Sequence, residues 1–251
     1  MAGRLTLTVL GSGDAFGSGG RNQSGYLVQA RGFCMLMDCG VTTLVSLKRH
    51  RVDPTSLDLV LLTHLHGDHV AGLPFLFHDF QHAGFRKTPL RVAGPRGLKR
   101  RVEGIHRILF PPKRGETRRF RAHYFPLRPG RPFQPAGRAG PEILPFRVRH
   151  QNAREDLGYR VRWKGRDLAY TGDTGWFPQL PDRVRGAHLL LCECTQNSRG
   201  SRKHLSLAEL REHRRELEVG SILLTHLGPE LAGRRGISGF RLARDGMKIL
   251  V

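Results

Sequence analysis

Residues 63–69 read Thr63-His64-Leu65-His66-Gly67-Asp68-His69. Three imidazoles and a carboxylate fall within six residues. The run Leu57–Thr63 reads as a buried strand that leads straight into His64. Imidazole nitrogen and carboxylate oxygen suit zinc and similar borderline ions. His64 and His66 lie two apart, so an extended backbone turns both the same way. Gly67 permits a tight turn that brings Asp68 and His69 round to a second metal. A chance surface cluster has no reason to follow an apolar strand.

Outward from this segment the chain alternates strands and helices. Upstream, Leu5–Leu10 alternates apolar and polar residues, the signature of a strand. The glycine-rich loop Gly11–Gly20 follows it. Its Gly-Ser-Gly-Asp-Ala-Phe-Gly lacks the spacing of a dinucleotide-binding loop, so it reads as a rim of the metal site. Tyr26–Ala30 and Phe33–Asp38 are strands split by Arg31-Gly32, and Thr42–His50 is a short helix. Downstream, Val70–Phe80 has helical spacing, Leu90–Val92 is a strand and Gly97–Leu109 a basic helix. Lys113–Pro141, rich in Pro, Gly and Arg, reads mostly as exposed loop with short strands near Tyr124–Leu127. Ile143–Val148 is a strand that delivers His150. Tyr159–Trp163 and Asp167–Tyr170 form a hairpin. Leu189–Cys192 and Ser221–Thr225 are buried strands, Leu205–Leu217 is a helix that Ser206 can cap, and Met247–Val251 closes the chain.

Leu61–Asp68 and Ile222–Glu230 share the form strand-Thr-His-Leu, a hint of duplication. Helices outside two packed sheets fit this order of elements.

The 251 residues and 39% hydrophobic content allow a sizeable core in a single domain, 1–251. No run approaches the roughly 20 apolar residues of a membrane span, and the N-terminus lacks the apolar block of a signal peptide. Cys34, Cys39, Cys192 and Cys194 have no C-x-x-C spacing and read as buried free thiols. A cytoplasmic protein is expected. The net charge of +21 favours polyanionic partners. It is concentrated: Arg86–Arg131 holds fifteen Lys/Arg against Glu103 and Glu116, hence +13 of the total. Arg side chains there alternate with Phe120, Tyr124 and Phe125, which suits a phosphate backbone and a stacked base.

With Asp38 in Met-Leu-Met-Asp-Cys-Gly, His150 in Phe-Arg-Val-Arg-His, Asp173 in Tyr-Thr-Gly-Asp-Thr-Gly and His226 in Leu-Leu-Thr-His-Leu-Gly, the H-x-H-x-D-H segment resembles the metallo-β-lactamase superfamily, motif by motif and in order. The resemblance implies an α/β, four-layer αββα sandwich of two mixed β-sheets flanked by helices. It also implies a ligand set: His64, His66 and His150 for one metal, Asp68, His69 and His226 for the other, Asp173 bridging both. Two Zn2+ are the implied ions, with Mn2+ or Fe2+ as alternatives. Such a pair holds a hydroxide and polarises the scissile group. Asp38 would orient a ligand histidine through its second ring nitrogen.

Within the superfamily the chain is more similar to the ribonuclease Z branch and its phosphodiesterase relatives. The opening Leu10-Gly-Ser-Gly-Asp-Ala-Phe, Gly158-Tyr159, Glu193-Cys194-Thr195 and His204-Leu205-Ser206 carry that likeness. It implies that Asp68, His204 and Glu193 are catalytic. His204 would meet the oxyanion or leaving group, and Glu193 would orient it. Relatives in that branch are often homodimers. The long-form enzyme's glycine-rich, tRNA-clasping arm has no room here, because Tyr159 runs almost directly to Asp173. A phosphodiesterase acting on RNA or a cyclic nucleotide is therefore expected. The alternatives are a thioester, sulfate ester or lactone hydrolase, or a basic nucleic-acid-binding module with a structural metal. The last has no use for His204.

Overall fold

The computed structural model describes residues 4–135, 140–151 and 155–251. Residues 136–139 of the Pro/Gly/Arg-rich run therefore lie outside the described residues.

The first half supplies six strands: β1 (Thr6–Gly11), β2 (Gly25–Ala30), β3 (Phe33–Met37), β4 (Leu59–Leu61), β5 (Leu90–Gly94) and β6 (Ala122–Pro126). The second supplies β7 (Glu142–Arg147), β8 (Leu157–Trp163), β9 (Arg166–Tyr170), β10 (Leu189–Glu193), β11 (Ile222–Thr225) and β12 (Arg241–Leu242). Strand β13 (Lys248–Leu250) returns to the first sheet and pairs antiparallel with β1, Leu7 opposite Ile249.

Each half builds one mixed sheet with its six strands side by side in chain order. In both, the first three strands are mutually antiparallel and the remaining pairings are parallel. This is a structural repeat. The sequence echo, however, joins unlike places: His64 follows the fourth strand of its half, His226 the fifth strand of the other.

Side-chain alternation explains the layering. In β4, Leu59 and Leu61 face the other sheet, while Val60 and, just past the strand, Leu62 face helices. In β10, Leu189 and Leu191 face inward and Leu190 and Cys192 outward. Strands buried on both faces read as unbroken apolar runs, as these do. Helices α1 (Thr43–Arg49), α3 (Leu73–His82) and α4 (Leu98–Leu109) cover the outer face of the first sheet. Helices α5 (Leu180–Val184), α6 (Leu207–Glu212) and α7 (Pro229–Ala232) cover that of the second. The expected αββα sandwich results. No helix among the described residues is long and apolar enough to cross a membrane.

Two expected helices change length. The helical spacing at 70–80 splits into α2 (Gly67–Val70) and α3, because Pro74 near the start of α3 has no N–H to continue the earlier turn. The expected helix 205–217 closes at Glu212. Ser206 and Glu209 form a reciprocal capping box at its start. After His213 the chain tightens, with Glu216 N–H donating to the His213 carbonyl. The hairpin turns at Lys164-Gly165, both with positive φ (46° and 82°), a two-residue turn matched to strand twist.

Candidate metal centre

The cluster sits at the strand ends where the two sheets meet. Here α2 packs directly on Asp38-Cys39-Gly40. Cys39 N–H donates to the His69 carbonyl at 2.7 Å, and Gly72 N–H to the Cys39 carbonyl at 2.9 Å. Any Cβ at Gly72 would sit 2.1 Å from the Gly40 carbonyl oxygen, so only glycine allows this approach. Gly67 is different. It opens α2 with open space around a Cβ and no positive φ, so the turn to Asp68 and His69 is made by a helical start instead.

The proposed ligands assemble into two groups. His64, His66 and His150 bring ligand atoms within 4.8 Å of one another, as do Asp68, His69, Asp173 and His226. His66 Nδ1 faces His64 Nε2 at 3.0 Å and His150 Nε2 at 3.1 Å. His69 Nε2 lies 3.1 Å from Asp68 Oδ2 and 3.3 Å from Asp173 Oδ1. His226 Nε2 lies 3.3 Å from Asp68 and 3.4 Å from Asp173, both at Oδ2. Asp173 stands between the groups, with Oδ2 3.8 Å from His64 Nε2.

Each histidine has an acceptor on its outer nitrogen. His69 Nδ1 meets Asp38 Oδ2 at 2.9 Å. His64 Nδ1 meets Thr63 Oγ1 at 3.0 Å, whose hydroxyl in turn donates to Asp38 at 2.9 Å. His150 Nδ1 meets the Lys203 carbonyl at 2.9 Å. His226 Nδ1 meets Thr195 Oγ1 at 2.9 Å, whose hydroxyl donates to Glu193 at 2.8 Å. His66 uses Nε2 toward Gln151 Oε1. With the outer nitrogen donating, the inner nitrogen of each ring, once neutral, presents its lone pair to the centre.

Electrostatics divides the groups. Burial, with His69 nearby, holds His64 well below the ordinary histidine range, and burial lowers His150 too. Those imidazoles are neutral and ready to ligate. Burial opposes charge on His69 and His226, but the carboxylates prevail. Asp173 leads in raising both, His69 well up and His226 to about 9. In return Asp68 and Asp173 are held far below the usual carboxylate range, against their own burial. A cation placed among them would replace those protons.

The residues fit metal. His69 Nε2 and Asp173 Oδ1 are buried and only 3.3 Å apart, yet neither makes an aligned hydrogen bond. Buried polar atoms rarely stay unsatisfied without a functional reason. The donor set is nitrogen and oxygen throughout, which suits zinc, manganese or iron.

Beside the centre, His204 Nδ1 meets Glu193 Oε1 at 2.9 Å. Glu193 is buried and also accepts from Thr174 N–H at 2.7 Å, so its position is fixed. Burial would lower the His204 pKa, but its hydrogen bond to Glu193 together with the charges of Glu193 and Asp173 raises the value. The rings of His204 and His226 stack with centroids 5.6 Å apart.

Several contributors carry no titratable signal in the sequence: Thr63, Thr195 and the backbone carbonyl of Lys203. Tyr170, whose hydroxyl donates to Asp38 at 2.7 Å, sits three residues before Asp173 and was legible only as strand. Asp38 and His226 adopt left-handed backbone, φ 55° and 53°. Such strain in non-glycine residues gathers at functional sites. The glycine-rich loop does lie at the rim, bridging Gly13 to Leu227 beside His226.

The basic segment 86–131 is mixed. Arg86 is buried and donates to the carbonyls of Thr55, Thr88 and Pro89. Arg118 forms a two-pronged pair with Glu103 at 2.8 and 2.9 Å. Phe120 is buried in the core and Phe125 packs against the inter-sheet core. Arg96, Lys99 and Arg100 are exposed at the start of α4. A Cβ on neighbouring Gly97 would lie 4.0 Å from Leu65, between the two metal-site histidines.

A family model described as "Anti-Pycsar protein Apyc1" matches residues 5–244. Ribonuclease Z of Lachnoclostridium phytofermentans is 26% identical across 90% of this chain and 88% of its own length. Ribonuclease Z of Clostridium tetani is 36% identical over 40% of this chain and 32% of its own length. The chain thus spans about a third of that first relative. Among solved structures, the metallo-beta-lactamase fold protein YhfI from Bacillus subtilis superposes with TM-score 0.80 at 22% identity, covering 99% of this chain and 100% of that one. Human tRNase Z, short form (ELAC1), gives 0.78 at 23%, covering 97% and 98%. These likenesses assign the metallo-β-lactamase fold.

Proposed function

Because the chain belongs to the anti-Pycsar protein Apyc1 family, we propose that it is a metal-dependent phosphodiesterase. His64, His66 and His150 would hold one ion and Asp68, His69 and His226 a second, with Asp173 between them. Zinc is the proposed metal. When bound, the ions would supply activated water and a positive anchor for the scissile phosphate. Asp68 takes up the proton of the attacking water. His204, oriented by Glu193, gives its proton to the leaving oxygen. The His204–Glu193 pair beside the cluster is the observation that carries this reading, since a structural metal site has no use for it. The ribonuclease Z relatives support the phosphodiester class, which includes RNA and cyclic nucleotides as substrates. The exposed cations Arg96, Lys99 and Arg100 draw a polyanionic substrate toward the mouth. The four free, buried cysteines suit the cytoplasm.

The test is one preparation, analysed for metal and assayed on a chromogenic phosphodiester, a thioester and a sulfate ester. About two ions per chain are expected, with turnover of the phosphodiester alone, abolished in Asp68→Ala while circular dichroism is unchanged. One ion that added zinc or manganese does not increase, or turnover of the thioester in place of the phosphodiester, would overturn the reading.

A further inference from the structure

The glycine-rich loop 11–20 is rooted against two segments of the metal centre. On one flank, Leu227 N–H, next to His226, donates to the Ser12 carbonyl at 3.0 Å, and Gly13 bridges Leu227. On the other, a Cβ on Gly40 would lie 2.6 Å from the Gln23 Cβ and 2.5 Å from the Asp68 carbonyl oxygen. The chain leaving the loop therefore shares a tight corner with the Asp68 backbone. Beyond these roots the loop is braced. Asp14 is buried, and its carboxylate accepts from Phe16 N–H at 3.1 Å, Ser18 N–H at 3.0 Å and the Ser18 hydroxyl at 2.8 Å. An aspartate that binds the backbone just after itself fixes a turn. Arg21 donates to the Ala232 carbonyl at 2.8 and 3.0 Å and to the Ala243 carbonyl at 2.9 Å, which ties the loop to α7.

The apex of this fixed turn is apolar. Phe16 is 91% exposed, more than any other large apolar side chain among the described residues. The Gln23 carboxamide joins its segment to a second apolar one. Its Nε2 donates to the Ala15 carbonyl at 2.8 Å, and its Oε1 accepts from Val41 N–H at 3.1 Å. Val41 and Val45 are both exposed and stand four residues apart, neighbours across one helical turn. The patch is small. A phenylalanine offers about 150–250 Å², and with two valines the sum stays well short of the roughly 800 Å² per partner of a stable protein interface. Its size matches one planar ring. The metal centre and the exposed cations near Gly97 answer a phosphate, but neither offers an apolar surface to a base. An aromatic face does, because every base has a face to stack.

We propose that Phe16, with Val41 beside it, is the platform on which the base of a single nucleotide stacks while its phosphate occupies the metal centre. This rests on the phosphodiesterase reading and makes Phe16 a specificity-determining residue. It predicts a preference for nucleoside phosphodiesters over phosphodiesters of plain alcohols.

The experiment compares two substrates that share a leaving group, the p-nitrophenyl phosphodiester of thymidine and methyl p-nitrophenyl phosphate, on the metal-loaded protein. Phe16→Ala should raise KM for the thymidine ester about tenfold with kcat little changed. The preference for it over the methyl ester should fall by the same factor. Phe16→Trp should restore the parent KM. Thymidine monophosphate should quench the emission that Phe16→Trp adds, and methyl phosphate should not. A parent-like KM in Phe16→Ala, an equal loss on both substrates, or no quenching in Phe16→Trp overturns the platform. So does a changed sedimentation coefficient in Phe16→Ala, which would assign the patch to contact between copies of the chain. Turnover of the methyl ester by the parent reports on the phosphodiesterase reading alone, so the two can fail separately.

Discussion

Asp38 and His69 share a 2.9 Å hydrogen bond with both side chains closed to solvent. The same carboxylate also accepts from Thr63 N–H at 2.8 Å and from the Tyr170 hydroxyl at 2.7 Å. It thereby fixes the orientation of His69 directly and of His64 through Thr63. An amide in its place would keep the volume but could present an N–H to His69 and turn the ring. Asp38→Asn should therefore lower metal affinity by roughly 10–100-fold. Competition with a chromophoric chelator measures this. Parent-like affinity would mean that Asp38 serves packing only.

His204 should act on the rate and not on the metals. Its Nδ1 is committed to Glu193, which leaves Nε2 for the substrate. His204→Ala is expected to reduce kcat by roughly 10²–10⁴, with metal content unchanged. If the variant loses an ion, His204 is a ligand and its assigned role is wrong.

Metal loading should expel protons. In the metal-free chain the neighbouring carboxylates lift the His226 pKa to about 9 and hold that of His69 well above the ordinary histidine range. Both rings are protonated at neutral pH and must become neutral to ligate. Loading at pH 7 should then release about two protons per chain. The His226 share should disappear as pH rises through about 9. Calorimetry in buffers of different ionisation enthalpy counts them. No proton release at pH 7 would contradict the electrostatics described here.

Glu103 anchors the far side of the first sheet. It accepts from Arg118 and, at 2.6 Å, from the Tyr124 hydroxyl. Its half-burial opposes the charge, yet these bonds hold its pKa below the ordinary 4.5. A depressed folded-state value adds stability above the unfolded pKa, which is lost as pH falls through the folded one. Glu103→Gln should cost about 1–2 kcal/mol at pH 7, and the difference should shrink below pH ~4. Urea unfolding at pH 7 and pH 3 measures both. An equal loss at the two values would assign the effect to packing.

The candidate ligands were legible in the sequence because they gather just after apolar strands and are themselves titratable residues. His64 after β4 and His226 after β11 needed no long-range knowledge. The layers were legible for the same reason, through alternation in strands such as β4 and β10. What escaped was fixed across the chain. Thr195 supports His226 across 31 residues, and Tyr170 reaches Asp38 across 132. Neither hydroxyl differs in sequence from an ordinary strand residue. The inward turn of Phe120 escaped too, because an alternation of Arg and aromatic residues fits a core-facing strand as well as a nucleic-acid surface.

The two sheets repeat, but the centre between them does not. Asp38 and Asp173 both follow the third strand of their halves, yet one supports a histidine from behind while the other faces the centre. Histidines follow the fourth strand in one half and the first and fifth in the other. His204 and Glu193 have no counterpart opposite. A frame with two-fold character therefore encloses a site with a single direction. On the proposed reading, the leaving oxygen always departs on the His204 side, so a substrate strand can be productive in one orientation only. For an RNA substrate, the scaffold itself would then set the polarity in which the strand is cut.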